Sequence, residues 1–248
     1  MTRMQSSTGL AIDLAEPDLS MLDIEQDIAG PLSRLARFGG HRVEVPGEAL
    51  PHPYTVAQHC VVGADALLEE TGDVATALAF LTHDAHEALI GDLTTPAALA
   101  LEHWAEVAML IAGGPEFARA VRSALGTGVI RAGLDGLKTS LDTQIHRLAG
   151  LPHPLPAPIA RAVKEMDERM LDLERRLILG QRLRNATVDE LWGAVAKART
   201  VRIRGGLIPW TQRQARTEWM RRWTMWTGAE AARRIPFAAP RRKPATAA

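Results

Sequence analysis

Apolar residues recur three and four positions apart along most of this chain, the spacing of one face of an α-helix. Ile24, Ile28, Leu32 and Leu35 predict helix over 21–38, with Pro31 opening a second helix and Gly39-Gly40 ending it. Thr55-Val56-Ala57-Gln58 has the form of a capping box. The helix it opens carries Val56, Cys60, Ala64 and Leu67 on one face and stops at Gly72. Ala75, Leu78, Ala79 and Thr82 start another, which meets no breaker until Gly91, and Thr95-Pro96 reads as N-cap and first residue of the next. That helix runs to Ile111 and breaks at Gly113-Gly114-Pro115. A short helix with a glycine-rich connection follows over 116–136, then a helix over Leu137 to Leu148. Beyond the break at 150–156, Ile159, Val163, Met170, Leu173 and Leu177 form the stripe of a long helix from Pro158 to Leu183. Thr187 to Glu190 is a second capping box, opening a helix to about Val201. After a turn at 205–210, Thr211 caps a last helix with Trp219, Trp223 and Trp226 on one face, which reads as a surface docked on the core or on a partner subunit.

The fold class is therefore all-α. Residues 1–21 show little periodicity and read as a loose arm, 22–185 as the main domain, 186–232 as a helical extension and 233–248, rich in Pro and Arg, as a flexible tail. The Pro- and Gly-punctuated stretch 43–53 is long for a compact domain, and such loops often border sites. Lys+Arg and Asp+Glu both total 29, a balance that argues against nucleic-acid or membrane-surface binding. The single cysteine, Cys60, excludes an internal disulfide and a multi-cysteine zinc site. The absence of a membrane-spanning run or signal-type leader sets the expectation of a cytoplasmic protein.

Polar chemistry concentrates in one stretch. His83, Asp84, Glu87 and Asp92 fall within ten residues of an otherwise apolar segment, where unpaired ionisable groups are costly. On one helix, Glu87 would share a patch with His83 and Asp84. Asp167 lies in the apolar stripe of the long helix, where packing alone would place Leu or Ala. His59 sits in the first turn of its helix, beside the buried face. His59, His83, Asp84 and Asp167 are candidates for one metal, and mixed imidazole and carboxylate donors suit Mn²⁺, Co²⁺, Fe²⁺ or Mg²⁺. A zinc-protease motif is excluded, because His86-Glu87 is followed by Ile90 where a second histidine is needed. Each residue also has a plainer reading: Asp167 paired with a core arginine, His59 a satisfied core histidine, Arg37 a helix-end cation, Phe38 core filler, Cys60 packing, His86 a supporting or surface group.

Five ordered segments carry a more specific signal: Leu32-Ser33-Arg34-Leu35 with Arg37-Phe38; Tyr54 to His59; His83-Asp84-Ala85-His86-Glu87; Gly91-Asp92-Leu93-Thr94-Thr95-Pro96; and Val163 to Asp167. Together they resemble the HD-domain metal-dependent phosphohydrolases, in the branch of bacterial 5′-deoxynucleotidases and phage nucleotide phosphohydrolases, over roughly residues 22–185. The resemblance implies an HD-type helical bundle and a divalent metal on His59, His83, Asp84 and Asp167. It further implies a catalytic Glu87, an acid Asp92 near the leaving group or sugar, and a phosphate-binding Arg37. Phe38 and Pro96 would be walls for the base, with Thr95 beside them. The expected activity is release of phosphate from (deoxy)nucleoside 5′-monophosphates, by an enzyme with a nucleotide substrate, no nucleic-acid or membrane partner, and homo-oligomeric assembly.

Two positions depart from the pattern. Thr94 stands where relatives often carry proline, and Ala98 where they carry a lysine able to reach outer phosphates. The second departure favours monophosphates over the alternative, a dATP-type triphosphohydrolase. An alarmone hydrolase fits less well, because Ala85-His86-Glu87-Ala88 lacks that group's extra Glu-Asp. A non-catalytic nucleotide-binding HD protein is the rival from outside the enzymes, and the retention of Glu87 and Asp92 speaks against it.

Overall fold

The computed structural model describes residues 2–43, 52–180, 183–193, 195, 199–203 and 206–228. Most of the 43–53 loop, part of the 205–210 turn and the whole 233–248 tail fall outside the described residues. Helices dominate: α1 (Gly30–Leu32), α2 (Val56–Thr71), α3 (Val74–Thr82), α4 (Glu87–Ile90), α5 (Thr95–Leu125), α6 (Val129–Ala149), α7 (Ala157–Glu174), α8 (Val188–Trp192) and α9 (Gln212–Thr227). π-Helical turns at Ile24–Ala29 and Arg175–Leu179 lead into α1 and extend α7. Among the described residues, no helix is long and apolar enough to cross a membrane.

The core lies where α2 packs against α3, with α9 and α7 each packed against both. The close approach of α2 and α3 depends on Gly63, where a Cβ would sit 2.2 Å from the Phe80 ring. Asp73 caps α3 by accepting from the amides of Ala75 and Thr76, and Gly72, in the left-handed region at φ 67°, ends α2. Thr55 caps α2 by accepting from the Gln58 amide. The reciprocal half of that capping box is not made. The Gln58 side chain instead donates to the Ile208 carbonyl at 2.9 Å and accepts from the Trp210 amide at 2.9 Å.

The N-terminal arm is not loose. Arg3–Gln5 and Ala11–Asp13 pair as an antiparallel hairpin, β1 and β2, and Ile12 and Leu19 are buried in the core. Asp27 holds the turn by accepting from the Thr8 amide at 2.9 Å and hydroxyl at 2.7 Å, and the Leu19 amide donates to Gln144 at 2.8 Å. Two buried apolar anchors in a polar stretch give no period to read, yet their burial ties the arm to the core.

Other boundaries shift for local reasons. The 113–115 break is a kink inside α5, with Gly114 at φ 74° and ψ −179°. α6 begins at Val129, eight residues before the expected start, and packs along α5. The N-cap of α5 is Thr94 rather than Thr95, one residue from expectation. Thr187 and Glu190 do form a capping box, but α8 ends at Trp192 instead of continuing to Val201, because Gly193 turns the chain at φ 44° and ψ −116°. Leu177, expected on the buried stripe, lies on the π-helical turn after α7 and is exposed.

Candidate metal centre

His59 and His83 reach one another from α2 and from the end of α3. The segment after α3 is not the continuous helix the apolar spacing suggests. Thr82 bonds back to the Leu78 and Ala79 carbonyls, and three-residue bonds follow at His83 to Phe80, Ala85 to Thr82 and Glu87 to Asp84. Such bonds tighten the backbone below the α-helical radius, and helix resumes only at Glu87. The tight turn keeps His83, Asp84 and Glu87 on one side by a route other than helical periodicity.

The two imidazole Nε2 atoms stand 3.4 Å apart. Asp84 Oδ2 lies 3.2 Å from His83 Nε2 and 3.8 Å from His59 Nε2. Asp167 Oδ1, from α7, lies 3.3 Å from His59 Nε2 and 3.7 Å from His83 Nε2. Donors on bonds of about 2.0–2.2 Å to a single ion are themselves separated by roughly 3.0–3.6 Å. Each of the two predicted aspartates therefore lies within 3.8 Å of both imidazole Nε2 atoms, and the His59, His83 and Asp167 cluster can hold a metal ion with Asp84 beside it.

Both rings are oriented from behind. His59 Nδ1 is 2.6 Å from Glu174 Oε1, and His83 Nδ1 is 2.6 Å from the Phe80 carbonyl, so each Nε2 is left to face the centre. Glu174, fully buried, also accepts from the Tyr54 hydroxyl at 2.8 Å and pairs with Arg37 at 3.3 Å. Arg37 bridges Glu174 and Asp84 (3.2 Å), so the predicted phosphate-binding guanidinium is partly spent on holding the cluster. Phe80 packs against both rings, 4.4 Å from His83 and 5.6 Å from His59 by ring centroid.

Burial alone would lower the His83 pKa, but Asp84 and Asp167 override it and hold His83 well above the usual imidazole range. Burial would raise the Asp167 carboxyl, yet hydrogen bonds from His59 and His83 keep it well below its ordinary value. Asp84 is likewise lowered against burial by His83 and Arg37. Glu87 goes the other way: burial, with the charges of Asp84 and Asp92, raises it to about 9. Asp92 is raised, chiefly by burial. Burial lifts Cys60 to about 11, a packed thiol as expected.

In front of the cluster opens a cavity of about 510 Å³, a size suited to a small ligand. Arg37, Phe38, Asp92, Thr95 and Pro96, every residue expected to contact substrate, line it, with Glu87, Asp84 and Asp167 on the same wall. Phe38 is held at φ 57° and ψ 27°, an uncommon conformation for a residue with a side chain.

No family model matches the chain. An uncharacterized protein of Rhodobacter capsulatus is 30% identical over 200 residues, which span 80% of this chain and 81% of its own. The chain belongs to that protein's family. The shared 200 residues are enough to include the α2–α7 scaffold that carries the four candidate ligands, whose span from His59 to Asp167 is shorter.

Several site residues escape a reading of the sequence. Glu174 lies seven positions after Asp167 on α7, so a second acid at the same helical phase was the signal for it. Lys138 and Trp192 reach the cavity from α6 and α8, and nothing local to either marks it. His86 is buried with Nδ1 2.9 Å from Asp142 Oδ1, a supporting position rather than a surface one. His41, at the end of the Gly39-Gly40 turn, lines the cavity as well.

Proposed function

We propose that this protein is an HD-type, metal-dependent phosphohydrolase that releases phosphate from (deoxy)nucleoside 5′-monophosphates. One observation carries the reading: Asp84 and Asp167 each lie within 3.8 Å of both the His59 and His83 Nε2 atoms, and both line a cavity that also presents Arg37, Glu87 and Asp92. The donor set, two imidazoles and two carboxylates, fits Mn²⁺, Co²⁺, Fe²⁺ or Mg²⁺. When bound there, such an ion supplies Lewis-acid polarisation of a phosphoryl oxygen and acidifies a water.

The chain's own groups do the rest. Arg37 offsets charge on the phosphoryl oxygens while keeping Asp84 in place. As the water oxygen bonds to phosphorus and the bond to the 5′-oxygen breaks, the water gives up a proton and the departing alcohol takes one. Glu87 and Asp92, both on the cavity wall, are the groups in position for those transfers. Phe38 takes one face of the base, and Pro96 lines the same cavity.

A second reading, hydrolysis of nucleoside triphosphates, is favoured by Lys138. It lines the cavity with Thr95 and Asp92, and its charge acts on Asp92, so it offers from α6 the cation that Ala98 does not. Release of phosphate from a panel of nucleotides of different phosphate length, with and without Mn²⁺ or Co²⁺, tests both readings. Orthophosphate from monophosphates supports the first and tripolyphosphate from triphosphates the second. No metal-dependent turnover of any nucleotide would falsify the hydrolase assignment. His83→Ala with fold intact and turnover abolished places the chemistry at this cluster.

A further inference from the structure

Trp192 is the one cavity residue with a large ring and no place in the core. Trp210, Trp219, Trp223 and Trp226 pack into the main hydrophobic cluster and Trp104 stands exposed on α5, whereas Trp192 is half-buried at the cavity wall. Its position is built. The Thr187–Glu190 capping box starts α8, and the turn at Gly193 stops it one residue after Trp192. The Arg175 guanidinium, itself paired with Asp172 at 2.6 Å, lies 6.0 Å from the Trp192 ring centroid. A cation set over one face of an indole holds that ring and leaves the opposite face for a planar partner. Phe38, which lines the same cavity, has the Arg37 guanidinium 5.7 Å from its ring centroid.

Resting on the phosphohydrolase reading, we infer that Trp192 stacks against the planar base of the nucleotide, so that α8 sets base preference from outside the part of the chain that carries the metal cluster. A half-buried indole at a cavity wall gains from being covered by another flat apolar surface, and purines, with the larger ring system, gain more than pyrimidines.

Trp192→Ala and Trp192→Phe separate this from a structural role. Losing one aromatic–base stack is expected to raise KM for purine nucleotides by about 5- to 100-fold, with kcat nearly unchanged and a smaller rise for pyrimidines. Trp192→Phe recovers most of the loss. Independently of turnover, adenosine 5′-monophosphate added to metal-free protein in EDTA should quench tryptophan fluorescence in the wild type and leave Trp192→Phe unchanged. KM equal to wild type for every base in Trp192→Ala, or quenching that persists in Trp192→Phe, overturns the inference. If no nucleotide is turned over yet the Trp192-dependent quenching appears, the hydrolase reading falls and the base site stands.

Discussion

Glu174 governs how His59 meets the centre. It is fully buried, and burial alone would raise its carboxyl, but His59, Arg37 and Tyr54 more than offset this and hold it below its ordinary value. Glu174→Gln keeps the shape and removes the charge that orients the ring. We expect Mn²⁺ affinity to fall by about 10- to 100-fold, read by calorimetry, with the fold retained by circular dichroism. His83 adds a pH dependence of known sign. Its pKa lies well above the usual imidazole value, so the metal-free protein keeps a proton there at neutral pH. An incoming ion must displace that proton, and apparent affinity should therefore rise with pH and level off once His83 has titrated. Calorimetry in buffers of different ionisation enthalpy counts the protons released; none released below neutrality would contradict the assignment of His83 as a ligand. Without metal the linkage runs the opposite way: the raised pKa stabilises the fold below the unfolded imidazole pKa and is lost as pH climbs through the folded one.

Between elements, the ties are specific polar clasps over an apolar contact. Arg169 on α7 donates to both oxygens of Glu70 near the end of α2, at 2.8 and 2.5 Å, and Arg199 adds a third contact at 2.8 Å. The Arg169 hydrogen bonds hold the Glu70 carboxyl below its ordinary pKa. A depressed carboxylate stabilises the fold above its unfolded pKa, and that contribution disappears as pH falls through the folded value. Glu70→Gln should therefore cost about 1–2 kcal/mol at neutral pH, less than a fully buried pair because Glu70 is partly solvated, and the difference should vanish in acid. Urea titrations at neutral and acidic pH read both. Helix ends of this kind are also where the sequence was most legible: Thr55, Thr187 and Thr211 each cap the helix they were expected to open. The segment after Thr82 was less so, because apolar spacing cannot tell an α-helix from the three-residue bonds that fold His83 to Glu87. Four predicted ligands were readable as ionisable groups in apolar surroundings. Lys138 and Trp192 were not, since only the packing of α6 and α8 brings them to the cavity.

At the scale of the whole molecule, the segment after residue 185 is part of the fold rather than an appendage. Trp219 and Trp223 of α9 are buried and stack with ring centroids 5.5 Å apart, and Val201 and Leu207 are buried as well. Trp219 Nε1 donates to the Leu81 carbonyl at 3.2 Å, two residues before His83, so α9 props the end of α3 from which the centre is built. Gln58, one residue before His59, is tied to the same segment through Ile208 and Trp210. Removing the indole of Trp219 should cost about 3–5 kcal/mol, the range for emptying a large buried aromatic site. Trp219→Phe keeps most of the apolar burial and loses the hydrogen bond to Leu81, so a cost of roughly 1–2 kcal/mol is expected. Chemical denaturation distinguishes the two. Should Trp219→Ala unfold at the same denaturant concentration as the wild type, α9 would be a detachable extension and residues 22–185 could stand alone. The burial of its tryptophans against α2 and α3 argues that they cannot, and that a chain ending at 185 would expose the core beside the cluster.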